Sequence, residues 1–205
     1  MEPLNKRPGP EFAGIRRRAL LAGVARLWLA LAFSIVAGGA ASPARADAQA
    51  DEYRVKAAFL YKFGGYIEWP DRSFARADSP IAIGVMGADA LADELAQIVA
   101  GRSVNGRSVQ LRKLRPGDPI AGLHVLFIGR ADGGRLAEIL AAAKGRPLLI
   151  VTESDEALEL GSTINFVVVD DKVRFDVAPP PAESGNLKIS ARLLAVARKV
   201  VAKPS

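Results

Sequence analysis

The chain has 205 residues, 50% of them hydrophobic, and a formal net charge of +6 at pH 7. Seven of the 28 Lys and Arg residues and two of the 22 Asp and Glu residues lie in residues 1–46, so the remainder is nearly neutral, with 21 basic and 20 acidic residues. The basic excess therefore gives no support to nucleic-acid binding. The absence of cysteine excludes disulfide bonds, thiol catalysis and thiolate metal ligands.

The N-terminal segment has the pattern of a secretory signal peptide. Basic residues precede an apolar run over residues 27–37, and Ala44-Arg45-Ala46 forms a small-x-small cleavage motif. The apolar run is shorter than the about 20 residues that a transmembrane helix needs. We therefore predict a cleavable signal peptide at 1–46, export to the periplasm and a mature chain of 47–205 that forms one domain. An uncleaved membrane anchor is the alternative.

The mature chain is predicted to begin with a helix over residues 52–68. Its apolar residues recur at helical spacing on one face: Val55, Phe59, Phe63 and Tyr66. Trp69-Pro70 is expected to end the helix, because the residue before a proline is pushed out of the α region.

Strands and helices alternate along the rest of the chain. The predicted strands lie at 81–86, 107–114, 124–128, 148–151, 163–169 and 172–177. The other predicted helices lie at 90–100, 132–144 and 154–160, with a last one that begins near Ser190. Asp89 and Ser154 are the expected N-caps of two of them. Asn105-Gly106 and Asp170-Asp171 are expected to form tight turns, the second joining an antiparallel pair.

This order of elements predicts an α/β fold. We expect a three-layer sandwich in which a mixed sheet of about six strands is flanked by about five helices. A hairpin and a helix form its C-terminal end.

Two patterns could carry chemistry but are better explained by structure. Gly101–Ser108, GRSVNGRS, differs from a phosphate-binding P-loop by Arg107 in the place of lysine. It follows a helix and opens a strand, the reverse of the P-loop setting, so we interpret it as a turn. His124, the only histidine, could be a general base, but no G-x-S-x-G motif accompanies it. A hydrogen-bonded structural role is favoured.

Acidic residues likewise predict no metal site. Asp170-Asp171 fits a hairpin turn, and Glu153, Asp155 and Glu156 fit the polar start of a helix, where negative charge suits the dipole. Neither group lies in a twelve-residue calcium-binding loop. We therefore expect no catalytic residue, cofactor or metal ligand, and a protein that is not an enzyme.

The last helix is the most promising candidate for a binding surface. Its apolar residues form two neighbouring stripes, which are Ile189, Leu193, Val196 and Val200, and Leu194, Ala197 and Val201. A face this wide is explained either by core packing or by a partner that covers part of it. The partner-binding hypothesis places the contact around Leu187, Ile189 and Leu193, next to the turn-rich stretch APPPAESGN.

The mature chain also resembles one known family along nearly its whole length. The opening block KAAFLYKFGGYIEWP (Lys56–Pro70) is similar to that of the YfiR-like periplasmic regulators. Further blocks follow in the family's order: IAIGVMGADAL, GRSVNGRSVQLRKL, HVLFIGR, LLIVTES, GSTINFVVVDDKVRFDV and LKISARLL. Two departures are clear. Leu123 stands where relatives often carry a cysteine, and APPPAESGN replaces a more helical, alanine-rich stretch.

The resemblance implies a non-enzymatic periplasmic regulator. Such a protein would bind the periplasmic part of an inner-membrane diguanylate cyclase and repress it, lowering cyclic di-GMP and biofilm formation. In relatives an outer-membrane lipoprotein relieves the repression, and a homodimer is also expected by resemblance. Redox control is not implied here, because the chain lacks cysteine. The alternative is a small periplasmic solute-binding or sensor domain with a cleft at Gly87-Ala88-Asp89, at the carboxyl end of a strand.

Overall fold

The computed structural model describes residues 43–202. The basic start and the apolar run of the predicted signal peptide lie outside these residues. Ala44-Arg45-Ala46 falls in the first turns of helix α1, and cleavage after it stays a prediction. In the described part of the chain, no helix is both long and apolar enough to cross a bilayer.

Six α-helices and ten strands make up the described residues. The helices are α1 (Pro43–Phe63), α2 (Asp89–Val99), α3 (Leu136–Ala143), α4 (Ala157–Leu160), α5 (Pro179–Ser184) and α6 (Ala191–Val196). The strands are β1 (Ile67–Glu68), β2 (Ile81–Met86), β3 (Ser103–Val104), β4 (Arg107–Leu114), β5 (Val125–Ile128), β6 (Leu149–Thr152), β7 (Ile164–Val169), β8 (Lys172–Val177), β9 (Lys188–Ile189) and β10 (Lys199–Val200). Short 3₁₀ turns lie at Gly64–Tyr66, Asp71–Ser73 and Arg130–Arg135.

Eight of the strands form one mixed sheet in the order β10-β8-β7-β6-β5-β2-β4-β3. The central strands β4, β2, β5, β6 and β7 are parallel, whereas β7–β8 and β3–β4 are antiparallel hairpins. Strands β1 and β9 form a separate antiparallel pair. The α/β class and the mixed sheet are as expected, but the sheet has eight strands instead of about six.

The central parallel strands are covered on both faces, as a buried parallel sheet requires. Alternate residues of β2 show the two sides: Ile81, Ile83 and Val85 pack in the core under α1 and α2, and Ala82 and Met86 pack in the core under α3 and α4. These two cores define three layers, two of helices and one of strands.

The first helix differs from its prediction in its end and in its buried face. It ends at Phe63, and Gly64–Tyr66 turn as a 3₁₀ segment. Val55 and Tyr66, predicted on the apolar face, are 44% and 37% exposed. The buried side is rotated by about a residue and is made by Tyr53, Lys56, Ala57, Leu60 and Phe63.

Both predicted tight turns are confirmed, but both predicted side-chain caps are wrong. Asn105 and Gly106 have φ of 51° and 78°, the left-handed pair that a type I′ turn needs, so the interpretation of GRSVNGRS as a turn holds. Asp89 is the first residue of α2 and makes no capping hydrogen bond. Helix α4 starts three residues after Ser154, whose backbone N–H is held by Asn165 Oδ1.

The stretch APPPAESGN also differs from its turn-rich expectation. It contains the short helix α5, which begins with prolines. Proline is well tolerated in a first helical turn, where its missing N–H would have no partner.

Candidate functional site: the C-terminal segment and its surroundings

The C-terminal segment folds differently from the long helix that its apolar pattern predicted. Helix α6 begins where expected, with Ser190 Oγ accepting a hydrogen bond from the Arg192 N–H. It ends at Val196, after which the chain extends and forms β10. The Arg198 N–H donates to the Phe175 carbonyl oxygen at 2.9 Å, and pairing with β8 replaces further helix. The prediction of one continuous helical face through Val201 is therefore wrong.

The three predicted partner-binding residues lie on this segment, but two of them are core residues. Leu187 and Leu193 are 2% and 1% exposed. Ile189 is half-buried and pairs with Ile67 between β9 and β1. Of the three, only Ile189 offers its side chain to a partner, whereas Leu187 and Leu193 fix the segment to the core. A binding role for the segment stays a prediction.

The core beneath this segment is aromatic. The ring centroid of Phe59 lies 5.4 Å from that of Phe175 and 6.0 Å from that of Phe166, and Phe63 packs against both. Phe59 is only partly buried. Val173, Ile189, Leu194 and Ala197 are also partly buried and pack against the same core. We call this set, with Phe59, the apolar rim.

Four charged side chains form a closed ring between α1 and the carboxyl ends of β5 and β6. Lys56 Nζ contacts one carboxylate oxygen each of Glu52 and Glu153. The guanidinium group of Arg130 lies 3.1 Å from Glu52 and 3.8 Å from Glu153. Positive and negative groups therefore alternate around the ring, and the backbone N–H of Arg130 also donates to Glu153 at 3.1 Å.

The ring fixes the orientation of α1. Lys56 and the side chain of Glu153 are fully buried, and such charges are tolerated only when they are paired. Burial would raise the pKa of Glu52, but Lys56 and Arg130 outweigh it and bring that pKa below its ordinary value. The ring thus ties the helix that carries Phe59 to the sheet.

His124 is held in one tautomer by two hydrogen bonds. Its Nδ1 accepts from the backbone N–H of Ala82 at 3.1 Å, so Nε2 carries the proton and donates to the Ser73 carbonyl oxygen, also at 3.1 Å. The ring stacks on Phe74 with centroids 4.4 Å apart, and Arg107 covers the Phe74 ring. His124 thereby fastens the loop after β1, as the structural interpretation predicted.

The cleft proposed at Gly87-Ala88-Asp89 is narrowed by backbone. It lies at the carboxyl ends of the neighbouring strands β2 and β5. The helix after β2 packs on one face of the sheet and the helix after β5 on the other, and ligands usually bind between two such connections. Here Gly129 packs on Gly87: a Cβ at Gly129 would lie 2.4 Å from the Gly87 carbonyl oxygen. What remains is a groove of about 530 Å³ with Lys113, Asp118 and Asp132 in its lining.

These features define an α/β domain in which the buried charges of Lys56 and Glu153 and the ring of His124 are all paired within residues 43–202. In the same part, no group of His, Asp or Glu side chains is arranged to hold a metal ion. A model of the YfiR/HmsC-like family matches residues 53–198, and the chain belongs to that family. It is a family of periplasmic regulators and not a known enzyme family. Among curated proteins, none matches the chain significantly.

Sequence reasoning missed the charge ring and the apolar rim. One signal for the ring was available, since Lys56 falls between Tyr53, Ala57 and Leu60 on a face that would otherwise be apolar. Its partner Glu153 lies 97 residues away, so no local pattern could have joined the two.

Proposed function

We propose that the protein represses a membrane-bound diguanylate cyclase through direct contact with the cyclase's periplasmic part, and so lowers cyclic di-GMP and biofilm formation. The observation that carries the proposal is the match of the YfiR/HmsC-like family to residues 53–198, which runs from the second half of α1 to the residue before β10. A regulator of this kind needs a binding surface and no reaction centre.

The apolar rim supports contact through the C-terminal segment. Apolar groups exposed together on a soluble domain often mark interfaces, and an aromatic side chain beside them is a frequent source of binding energy. Phe59 is such a side chain, and α1 and α6 both contribute to the rim. In this proposal Ile189 contacts the partner directly, while Leu187 and Leu193 hold the segment from the core.

A deletion strain tests the proposal. Loss of the protein is expected to raise cyclic di-GMP and biofilm formation, and a copy of the gene should restore both. Purified mature protein should also retain the periplasmic part of the cyclase on an affinity column. Unchanged cyclic di-GMP in the deletion strain would contradict repression and would favour the solute-binding alternative.

Processing and assembly are part of the same proposal. We propose cleavage after Ala46, which intact mass of the periplasmic protein would establish. We also propose a homodimer, and relief of repression by an outer-membrane lipoprotein. Light scattering on the purified protein tests for the homodimer. The effect of deleting the lipoprotein on cyclic di-GMP tests for the relief of repression.

A further inference from the structure

The eight-stranded sheet ends on one side in a strand that is only partly paired. Strand β4 pairs with β2 over residues 109–114, but on its other side β3 pairs only with its first two residues. The chain before β3 turns away from the sheet, because the Arg102 N–H donates to the Val99 carbonyl oxygen at 3.0 Å. Residues 109–114 therefore have no strand beside them on this side, within the part of the chain that the structure describes. We call this stretch the open edge.

Every second residue of the open edge directs its backbone N–H and C=O groups out of the sheet. Val104 and Arg107 flank a two-residue turn and exchange both of their hydrogen bonds, so the groups of Arg107 face β3. The direction alternates along a strand, and the groups of Val109, Leu111 and Lys113 therefore face the same way. Within residues 43–202, these three N–H and three C=O groups have no hydrogen-bond partner. Such a row is a template for a further strand.

The open edge is accessible and already has the shape that strand addition needs. Gln110 and Lys113 are exposed, and Val109 and Leu111 are partly buried against the core under α1 and α2. Pairing with β2 holds the strand extended, so only the added strand loses backbone entropy on binding. At about 3.3 Å per residue the open edge is about 20 Å long, which matches five or six residues of an extended peptide.

Cations surround the open edge. Residues 101–117 contain no acidic residue and five basic ones, which are Arg102, Arg107, Arg112, Lys113 and Arg115. They lie on both faces of the sheet. Lys113 Nζ contacts Asp93 of α2 at 2.6 Å, whereas Arg112, one position earlier, points to the opposite face and donates to the Pro119 carbonyl oxygen at 3.3 Å. An added strand would therefore meet positive charge on either side of the sheet.

Most of this positive charge is not neutralised. Lys113 has Asp93 as a partner, but the four arginines form no ion pair within residues 43–202. Arg107 and Arg112 donate to carbonyl oxygens, which orient the guanidinium groups without removing their charge. Asp118, on the connection after β4, accepts instead from the backbone N–H of Arg115 at 2.8 Å. The potential at the open edge is therefore positive and favours an acidic ligand.

The charge also decides which kind of strand can add. Antiparallel pairing with the open edge of a second copy would bring two sets of the same five cations together, and like charges on neighbouring strands are destabilising. Charged residues on edge strands commonly prevent such self-association. An acidic strand is instead attracted by the same residues. An acidic segment is therefore favoured over a second copy of the chain.

We propose that the open edge of β4 binds an extended acidic segment of a partner protein, which adds to the sheet as a further strand. Val109, Leu111 and Lys113 supply the backbone hydrogen bonds, and the surrounding arginines select negatively charged side chains. The open edge and β10 lie toward opposite ends of the strand order, so this surface does not include the C-terminal segment. The proposal goes beyond the repression of a cyclase and does not depend on it.

Titration of the purified mature protein at low ionic strength, followed by NMR, tests the proposal. The probe is the hexapeptide Glu-Thr-Glu-Thr-Glu-Thr, N-acetylated and C-amidated, which combines negative charge with a residue that favours strands. It is expected to bind and to shift the backbone amide signals of Val109, Leu111 and Lys113 most. The same peptide with lysine in place of glutamate should not bind. No binding of the acidic peptide, equal binding of the two, or shifts confined to another surface would each overturn the proposal.

Backbone methylation of the peptide separates strand addition from attraction between charges alone. Methyl groups on all six nitrogens of the acidic hexapeptide keep its charges but remove its hydrogen-bond donors. This peptide should bind at least about tenfold more weakly, because several hydrogen bonds are lost. The unmethylated peptide should also slow the hydrogen exchange of Leu111 and Lys113, whose N–H groups face outward. Equal binding of the methylated peptide would show that charge alone holds it and would overturn strand addition.

Two substitutions at one exposed position locate the contact. Lys113→Ala removes the charge and keeps the N–H, whereas Lys113→Pro also removes the N–H, which faces away from β2 and which an edge strand can lose. The folded proline variant should bind the acidic hexapeptide severalfold more weakly than the alanine variant. Equal binding by the two would overturn the assignment of the edge.

A charge reversal with a matched control tests the role of the cations. Arg115→Glu places a negative charge at the end of the open edge and should weaken binding of the acidic hexapeptide severalfold. Arg174→Glu makes the same change at an exposed position of β8, toward the other end of the sheet, and should leave binding unchanged. If Arg115→Glu binds as the unaltered protein does, the cations do not select the ligand and the proposal fails.

Discussion

The ammonium group of Lys56 contacts the carboxylate of Glu153 across 97 residues of sequence, and both side chains are fully buried. Removing Lys56 leaves Arg130, 3.8 Å away, as the remaining cation beside the buried Glu153 carboxylate, and breaking a buried ion pair costs about 3–5 kcal/mol. We expect Lys56→Met to lower the free energy of unfolding by this amount in urea denaturation. Lys62→Met, an exposed position on the same helix, should change it by less than about 0.5 kcal/mol.

A second substitution separates the contribution of the ion pair to stability from that of the packing of the Lys56 methylene groups. Combining Lys56→Met with Glu153→Gln removes both charges and leaves Glu52 paired with Arg130. The double variant should therefore be more stable than the sum of the two single losses predicts. Strict additivity would show that the ring is not an electrostatic unit.

His124 should make stability sensitive to mild acid. The pKa of His124 lies below its ordinary value of 6.5. Burial is the main cause of the lower pKa and the positive charge of Arg107 adds to it, whereas the hydrogen bond to the Ser73 carbonyl oxygen acts in the opposite direction. Just below pH 6.5 the unfolded chain therefore binds a proton that the folded protein does not. The free energy of unfolding should fall as the pH decreases through this window and be independent of this group above it.

Because His124 is the only histidine, its imidazole signal can be followed by NMR without assignment. The signal should titrate below pH 6.5. The control is His124→Asn, which keeps an acceptor for the Ala82 N–H and cannot titrate. It should abolish the part of the acid-dependent loss of stability that begins just below pH 6.5, whatever its absolute stability. An unaltered slope in that variant would assign the effect to other groups.

The hairpin turn between β3 and β4 should be sensitive to the loss of one glycine. Gly106 has φ of 78°, and a Cβ there would meet nothing within 4 Å, so Gly106→Ala adds backbone strain without a clash. A left-handed residue costs about 1–2 kcal/mol when it carries a side chain. We expect that loss in thermal or urea unfolding. Gly134→Ala, equally unobstructed and without positive φ, should be tolerated.

Two residues of the C-terminal segment should separate folding from partner binding. Leu193→Ala removes a buried side chain and should cost about 2–5 kcal/mol. Ile189→Ala should cost much less and yet weaken retention of the cyclase's periplasmic part and raise cyclic di-GMP. Leu160→Ala, which alters an exposed side chain on α4, is the control and should change neither the retention of the cyclase's periplasmic part nor the level of cyclic di-GMP. Normal partner binding by stable Ile189→Ala would remove this segment from the interface.

Much of the fold could be predicted because its signals are local. β2 and β5 are apolar runs, and Asn105-Gly106 and Asp170-Asp171 specify their turns by residue type. The C-terminal error has the opposite origin. The apolar residues of 189–201 fit helical spacing. After Val196, however, the backbone forms its hydrogen bonds with the edge of β8 instead of continuing the helix. No pattern within the segment reveals that edge.

The candidate sites were harder to predict, for the same reason. Leu187 and Leu193 were correctly identified as apolar residues of one segment, but their burial depends on the sheet and α1, which are distant in sequence.

The pairing of Ile67 with Ile189 has a consequence for the order of events during biosynthesis. The rings of α1 that face the sheet, Phe59 and Phe63, pack on Phe166 and Phe175 of the last hairpin, so these contacts are of long sequence separation and form late. A chain emerging from the ribosome can complete the hairpin of β7 and β8 locally, but the aromatic core between that hairpin and α1 is complete only when most of the residues have appeared. Completion of this core, and with it the full stability of the fold, therefore depends on the last third of the chain.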